Sequence, residues 1–321
     1  MKRCPGPARR HLNRMRIRSP KLRLALGLPA LLLTLMIASH LAHRLAKELE
    51  FFPAIPMLPL HSTGASASGR GIPPSFVHQS WKSASLPNRF SVWSASWRRC
   101  FPDWQHRLWT DADNADFVRR KFPDFYPTWR SLPTKIERVD SVRYLYLYSM
   151  GGLYADLDSE CLHPFHHLLA NCSVVLGSMS VGSGWTAWRM PSGLVQNSLM
   201  YSRPGQQIWL DAIQEVQRIA SQRRWSLLTG SYPLEEDRTG PLMLMRLLKR
   251  NWASYSGSVC LYRPEFFNPF SWFGSDPACR TLNGMTADEL ETCRRRYNSS
   301  YAIQYHTQVW RHGKSNMARA S

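Results

Sequence analysis

The pattern of apolar and polar positions along the chain predicts strands that are followed by helices. Short segments are strand candidates at 76–81, which follows two prolines, and at 105–109, and the apolar run 153–155 after a glycine turn predicts a third strand. Segments with helical spacing follow them and cover 90–100, 114–121, 134–149, 204–223 and 240–251. This order predicts an α/β sheet, in which ligands gather at the carboxyl ends of the strands. The residues expected at that rim are Trp81, Asp111, Asp156 and Asp158.

The stretch GGLYADLDSE, residues 151–160, places two carboxylates two residues apart behind a short apolar run. Alternate side chains of a strand point the same way, so Asp156 and Asp158 are expected to converge on one spot. A divalent cation offsets their repulsion, because Mg²⁺ and Mn²⁺ prefer oxygen ligands and leave positions for substrate phosphates. A second D-x-D, Asp111 and Asp113, lies in the polar run TDADNAD, which is more typical of a turn or a helix cap.

The predicted helix before these aspartates, TKIERVDSVRYLYLYS, carries Asp140 and Arg143 three residues apart and therefore on one face. One interpretation is a surface ion pair worth less than about 1 kcal/mol. The other is a binding pair, in which Asp140 accepts sugar or ribose hydroxyls and Arg143 faces phosphate or sugar oxygens. The spacing alone leaves both interpretations open.

Charge and hydropathy divide the chain before the folded part begins. Residues 1–23 hold nine of the 41 Lys and Arg and no acidic residue, so the net charge of +19 falls to +10 for the remainder. Such a mildly basic body suits a phosphate-bearing substrate or an anionic membrane surface and requires no nucleic acid. Residues 24–42 contain no charged side chain, which predicts a membrane anchor at 24–43 behind a cytosolic basic tail, with a cleaved signal peptide as the competing interpretation.

The remaining organisation follows from composition. Residues 44–71 are rich in Pro, Gly, Ser and Ala and are predicted to form a stem, the folded body is expected at 72–312, and residues 313–321 are expected to be a frayed tail. Cys4 lies in the basic tail, and six further cysteines permit up to three disulfides in an oxidising lumen, with fifteen pairings open. The sequons at Asn171 and Asn298 are compatible with a lumenal body.

Five segments in register carry a resemblance to a known family: IPPSFVHQSWKSASLP, HRLWTD, KIERVDSVRYLYLYSMGGLYADLDSE, RTGP and QYHTQVW. Their order resembles the DXD-motif sugar transferases of glycosyltransferase family 32, over roughly residues 72–312. That family includes fungal α-1,6-mannosyltransferases, inositol phosphoceramide mannosyltransferases and α-1,4-linking transferases. The resemblance implies a GT-A fold, meaning one α/β domain that binds a nucleotide sugar and a divalent cation.

The resemblance also implies roles for individual residues. Asp156 and Asp158 match the catalytic metal motif, with His306 as a third metal ligand. The donor-binding residues that it implies are Gln79, Trp81, Asp140, Arg143, Asp156 and Trp310. Thr239, Gly240 and Pro241 match a loop that faces the acceptor. The family has a G-S-W-like ending where this chain has Gln308-Val309-Trp310, a departure that bears on the role of His306.

The function implied is a type II Golgi membrane enzyme with a lumenal catalytic domain. It is expected to move a hexose with retention, most readily mannose from GDP-mannose with Mn²⁺ or Mg²⁺, to a glycan acceptor. The alternatives are a UDP-hexose donor, a glycolipid acceptor of the inositol phosphoceramide type, or a non-catalytic partner subunit that binds sugar nucleotides. A D-x-D phosphatase is disfavoured, because Glu160 occupies the fourth position after Asp156 and Gly-Gly precedes the strand.

Overall fold

The computed structural model describes residues 31–42, 54–58, 75–181, 188–222, 234–270, 276, 279 and 286–307. Contacts divide the chain into two units, and in the first (1–48 and 225–232) the described residues 31–42 form a helix. Among the described residues, no helix has both the length and the apolar character that a bilayer crossing needs. The rest of the predicted anchor and the basic tail lie outside the described residues.

The second unit, 49–224 and 233–321, contains the sheet and the helices that surround it. Its strands are β1 (Phe76–Ser80), β2 (Gln105–Trp109), β3 (Gly152–Ala155), β4 (Ser159–Cys161), β5 (Val174–Met179), β6 (Leu194–Ser202), β7 (Val259–Tyr262) and β8 (Ala302–Gln304). Its helices are α1 (Asn88–Cys100), α2 (Asp111–Lys121), α3 (Tyr126–Ser131), α4 (Lys135–Ser149), α5 (His166–Leu169), α6 (Gln207–Ser221), α7 (Glu235–Arg238), α8 (Pro241–Tyr255), α9 (Pro264–Phe267) and α10 (Ala287–Arg296).

The main sheet is mixed and has the strand order β2-β1-β3-β6-β5-β7. β1 pairs in parallel with both β2 and β3, so the carboxyl ends of these three strands meet at one edge, as the sequence predicts. β6 runs antiparallel to β3 and β5, and β5 is parallel to β7. A separate two-stranded ribbon of β4 and β8 follows the D-x-D segment. The α/β prediction is confirmed, although the sheet is mixed.

The sheet buries both faces, and alternate residues of β3 show this directly. Tyr154 belongs to the core formed with α4, α6 and α8, whereas Leu153 and Ala155 face the core formed with α1 and α5. A strand buried on both faces reads as a continuous apolar run, which is why the short run before the aspartates predicts a strand.

The second D-x-D serves to start α2. Thr110 caps this helix, and its side chain accepts from the backbone N–H of Asp113 while the Asp113 carboxylate accepts from Thr110. The helix therefore begins at Asp111 rather than at Asn114. The interpretation of this copy as a helix cap is confirmed.

Three disulfides connect the elements of the second unit. They join Cys100 to Cys161, Cys172 to Cys260, and Cys279 to Cys293. The first joins the end of α1 to β4, the strand directly after the D-x-D segment. All six cysteines that follow the apolar segment are therefore paired.

Residues 54–58, which the sequence assigns to the stem, pack against the folded body. The Leu58 backbone N–H donates to the Leu261 carbonyl at 2.9 Å, and Ile55 is buried in the core beside α4 and α6. The Ile55 backbone N–H also donates to Ser192 Oγ at 2.6 Å. The folded body therefore includes residues before Ile72, because the backbone of Leu58 forms a parallel bridge with Tyr262 of the edge strand β7.

Candidate functional site

A turn that contains two glycines connects α4 to β3. Gly151 and Gly152 have φ values of +65° and +97°, in the region that favours glycine. The turn is fastened to β1, because His78 Nε2 lies 2.9 Å from the Gly151 carbonyl oxygen. Trp109 Nε1 donates to His78 Nδ1 at 3.1 Å, so Nε2 carries the proton and donates to Gly151. Burial lowers the pKa of His78 to about 4, which keeps the ring neutral.

The D-x-D segment itself is a turn. β3 ends at Ala155, and Leu157 and Asp158 lie in the turn that leads to β4. The expectation that strand alternation aligns the two carboxylates is therefore wrong, because β3 ends at Ala155 and both aspartates lie beyond it. The Asp156 backbone N–H donates to the Ser198 carbonyl at 2.8 Å, which anchors the turn to β6. The two carboxylates still interact. Burial is the largest cause that raises the pKa of Asp156, and the negative charge of Asp158 raises it further.

Arg143 lies between two acids and is almost inaccessible. Its Nη2 is 2.9 Å from Asp140 Oδ1, and its Nη1 is 3.4 Å from Asp156 Oδ1. Nη1 also donates to the Asn197 carbonyl at 2.6 Å, and the guanidinium lies 4.4 Å from the centre of the Tyr154 ring. The Arg143 and Asp140 side chains are only 3% and 8% exposed. The surface ion-pair interpretation is therefore wrong, and the pair belongs to a buried site.

Asp140 connects α4 to the RTGP segment. Its Oδ2 accepts from Thr239 Oγ1 at 3.2 Å, and its Oδ1 accepts from Asn197 Nδ2 at 3.2 Å. Tyr144, one turn further along α4, donates to the Thr239 carbonyl at 2.7 Å. Thr239 is thus a direct partner of the predicted donor-binding acid. The backbone around Gly240 passes so close that a Cβ there would lie 3.5 Å from Asp140 Oδ2.

The charges at this site do not balance. Burial raises the pKa of Asp140 to about 7 although Arg143 acts to lower it, and it raises that of Asp156 to about 6. The negative charge of Asp156 raises the pKa of Asp140 further, and the negative charge of Asp158 does the same to the pKa of Asp156. One guanidinium between two acids leaves an excess of negative charge in a desolvated place. Such a place favours a cation or hydroxyl donors as ligands.

Asp158 is held by residues that lie far along the chain. Gln304 Nε2 donates to its Oδ1 at 2.5 Å, and Thr307 donates from both its backbone N–H and its Oγ1 to Oδ2 at 2.8 Å. The Asp158 carbonyl accepts from the Tyr305 backbone N–H at 2.7 Å. Gln304 and Thr307 lie in the segment QYHTQVW, where the resemblance assigns roles only to His306 and Trp310. Asn197 is missed as well, since it is one polar residue in the strand β6.

The predicted third metal ligand does not join the aspartates. His306 has a φ of +51°, and its Nε2 lies 3.1 Å from Asn268 Oδ1. Among the residues that the structure describes, no group of three His, Cys, Asp or Glu side chains could hold a metal ion. The predicted set of Asp156, Asp158 and His306 is therefore not assembled, because the chain turns at His306 to present Thr307 to Asp158. Trp310 lies outside the described residues.

The two aspartates nevertheless fit a hard divalent cation. Asp156 Oδ1 accepts from Tyr154 at 2.8 Å, whereas no hydrogen bond within the described part of the chain uses Oδ2. The Asp156 side chain is 27% exposed, so Oδ2 is open to a ligand. Ions of this type are commonly bound through one or two carboxylates together with substrate phosphates. Asp156 and Asp158 would hold such an ion.

Gln79 and Trp81 lie at the carboxyl end of β1, as predicted. Gln79 Oε1 accepts from Ser94 Oγ at 2.5 Å, and the Trp81 ring packs 5.0 Å from that of Phe90. Gln79 Nε2 and Trp81 Nε1 are both buried and lack a hydrogen-bond partner within the described ranges. The rim therefore offers two unused donors, a feature that suits a ligand rich in acceptor atoms.

Residues 87–175 match the family described as "Glycosyltransferase sugar-binding region containing DXD motif". The resemblance to the DXD-motif sugar transferases is confirmed. The matched segment contains Asp140, Arg143, Asp156 and Asp158, the residues that the structure brings to one edge.

Several fungal proteins are similar to the chain. Inositol phosphoceramide mannosyltransferase 3 of Schizosaccharomyces pombe is 32% identical over 177 residues, which are 53% of this chain and 43% of the relative. The mannosyl phosphorylinositol ceramide synthase SUR1 of Saccharomyces cerevisiae is 27% identical over 62% of this chain and 48% of its own length. The initiation-specific α-1,6-mannosyltransferase of Candida albicans is 28% identical over 32% and 29%. The chain thus matches less than half the length of each of these relatives.

Among solved structures, the PaToxG glycosyltransferase resembles the chain with a TM-score of 0.40 at 12% identity. The superposition covers 85% of this chain and 99% of that one. A similarity of this size is too low to support an argument about the site.

Proposed function

We propose that this protein is a metal-dependent glycosyltransferase that moves mannose from GDP-mannose to an acceptor hydroxyl. The observation that carries the proposal is the buried Arg143 between Asp140 and Asp156, inside the segment that matches a sugar-binding region. The names of the fungal relatives, all of them mannosyltransferases or mannosyl-transferring synthases, favour mannose as the hexose. The parallel strands β1, β2 and β3 and their common rim support a GT-A type of nucleotide-sugar domain.

Each acid at the rim has a separate task in this proposal. Asp140 accepts hydroxyl groups of the donor sugar, and Arg143 keeps it oriented, because Asn197 and Tyr154 fix the guanidinium. Asp156 and Asp158 hold Mn²⁺ or Mg²⁺, which when bound would neutralise the charge that develops on the leaving diphosphate. Gln304 and Thr307 hold Asp158 in one orientation before any ligand arrives.

We further propose that the anomeric configuration is retained through attack on the same face as the leaving group. Asp140 and Asp158 are each held at both carboxylate oxygens by neighbouring donors, which supports a mechanism that depends on fixed positions. In that case the leaving phosphate takes the acceptor proton, and the protein contributes position and electrostatics. Loss of Asp158 should then lower kcat rather than merely raise KM.

The acceptor is the least constrained part of the proposal. The names of the inositol phosphoceramide enzymes favour a phosphoinositol glycolipid, whereas the α-1,6-mannosyltransferase favours the glycan that the sequence suggested. The three disulfides support an oxidising compartment, in line with a lumenal domain at the Golgi membrane. Membrane attachment through residues 24–43 belongs to the same proposal.

The test uses the two D-x-D copies of the same chain as a matched pair. The purified full chain is incubated with Mn²⁺ and either GDP-mannose or UDP-hexoses, and nucleotide release is measured with a phosphoinositol glycolipid, an oligomannose glycan or water as acceptor. Asp158→Asn should reduce turnover by at least about 100-fold. Asp111→Asn, the same change in the helix-capping copy, should leave turnover unchanged. Equal activity of the two variants, or no turnover with any donor, would refute the proposal.

A further inference from the structure

Arg89 is a charged residue near the site to which neither the motifs nor the comparisons assign a role. It lies in the first turn of α1, and its guanidinium packs over the Phe90 and Trp93 rings at 5.2 and 5.8 Å from their centres. The residue is half-buried, and its Nε is buried with no hydrogen-bond partner among the described residues. None of the ion pairs within the described ranges includes Arg89. A half-buried guanidinium whose Nε has no partner offers donors that a ligand with acceptor oxygens can fill.

A chain of contacts places this residue beside the D-x-D turn. Trp93, one turn after Arg89, stacks on Tyr305 with ring centres 4.5 Å apart. The Tyr305 backbone N–H donates to the Asp158 carbonyl. Consistent with that position, burial lowers the pKa of Arg89 and the attraction of Asp158 opposes this effect. The Asp158 oxygens accept hydrogen bonds from Gln304 and Thr307, and within the described residues no hydrogen bond joins Asp158 to the Arg89 guanidinium.

The surroundings of Arg89 supply hydrogen-bond donors rather than acceptors. Pro87 caps α1 without any side-chain hydrogen bond, which leaves the first backbone N–H groups of this helix without a capping acceptor. The indole N–H groups of Trp81 and Trp93 are buried and likewise unpartnered within the described chain. A cation, unused N–H groups and the positive end of a 13-residue helix together select an anion with several acceptor oxygens.

We propose that Arg89 and the N-terminal turn of α1 bind a phosphate group of the ligand that occupies the rim beside Asp158. The inference rests on the proposed function, which brings phosphate to this rim in either of two forms. One is the diphosphate of the sugar nucleotide, and the other is the phosphate of a phosphoinositol acceptor. Both present the same chemistry to Arg89, namely acceptor-only anionic oxygens that match a guanidinium fork.

The experiment compares two arginines of the same helix. Arg89→Gln removes the proposed contact, and Arg99→Gln makes the same charge change at an exposed position ten residues along α1, about 15 Å away. Binding to the full chain is measured by calorimetry with GDP against guanosine, and with inositol 1-phosphate against inositol, in the presence of Mn²⁺. Arg89→Gln should weaken binding of the phosphate-bearing ligand by about tenfold to hundredfold and leave its phosphate-free counterpart unchanged. Arg99→Gln should alter neither.

The pattern of losses identifies the source of the phosphate. A selective loss for GDP assigns Arg89 to the donor diphosphate, and a selective loss for inositol 1-phosphate assigns it to the acceptor. Arg89→Lys keeps the positive charge but lacks the guanidinium fork, so it should show a smaller loss of binding. This variant replaces Arg89→Gln if the glutamine variant does not fold. If wild type binds GDP and the Arg89 variants match Arg99→Gln, the inference is overturned and the proposed function stands. If wild type binds neither GDP nor inositol 1-phosphate, the inference and the proposed function are both overturned.

Discussion

His78 should give the protein a pH-dependent stability that a single substitution removes. The residue is fully buried in β1, where it accepts from Trp109 and donates to Gly151. Burial lowers its pKa from 6.5 to about 4, so the folded protein keeps the ring neutral while the unfolded chain binds a proton below pH 6.5. The stability that the neutral ring contributes is therefore complete above that pH and is lost as the pH falls toward 4. The difference in pKa corresponds to about 3 kcal/mol.

The assay is urea unfolding of wild type and His78→Gln between about pH 7 and pH 4. The advantage of wild type over the variant should shrink by about 3 kcal/mol across this range. Asp140 and Asp156, whose pKa values are raised by burial, act in the opposite direction but do so in both proteins and cancel in the comparison. His163→Gln, at an exposed position, is the control and should follow wild type. A constant difference between wild type and His78→Gln would refute the reasoning.

Three substitutions test the frame around the site by denaturant unfolding. Gly152→Ala should cost at least about 2 kcal/mol, because φ is +97° and the added Cβ would lie 2.4 Å from the Phe76 carbonyl oxygen; an unchanged midpoint would contradict this strain. Glu137→Gln should lower the free energy of unfolding by about 3–5 kcal/mol, because the fully buried Glu137 carboxylate pairs with Arg238 at 2.6 Å. A decrease of less than about 1 kcal/mol would mean that the pair is dispensable. Thr134→Ala, which removes the cap of α4, should cost only about 1 kcal/mol, and a loss as large as that of Glu137→Gln would be inconsistent with a simple cap.

Local patterns predict the part of the fold that is local in origin. α4 extends over the range that its cap and the following glycine indicate, since Thr134 supplies the cap and Gly151 adopts a positive φ beyond the end. β2 has the predicted bounds, because it lies between a turn and the helix cap Thr110. The β4–β8 ribbon is not predictable in this way, because each of its strands has three residues and acquires its pairing from a partner more than 140 positions away. Short strands of this kind depend on tertiary contacts.

The candidate site likewise contains residues that local sequence patterns predict and others whose role depends on tertiary contacts. Asp140 and Arg143 can be predicted because one helical turn places them on the same face. Whether such a pair is a surface ion pair or a buried site depends on Asn197 and Thr239, which reach it from β6 and the RTGP segment. His306 also depends on tertiary contacts: its place in the sequence suggests a metal ligand, and in the structure its Nε2 lies 3.1 Å from Asn268 Oδ1.

The two D-x-D copies show why the spacing of acids has little meaning by itself. Asp111 and Asp113 begin a helix, where exposed carboxylates stabilise the free N–H groups of the first turn. Asp156 and Asp158 follow a strand buried on both faces, where a neighbouring acid and a guanidinium restrict the charge that the place can hold. Two aspartates at the same spacing therefore belong to a helix cap in one copy and to a candidate cation site at a half-buried rim in the other. What separates the two outcomes is the buried Arg143 and the parallel pairing of β1 with β3, neither of which is contained in the D-x-D pattern.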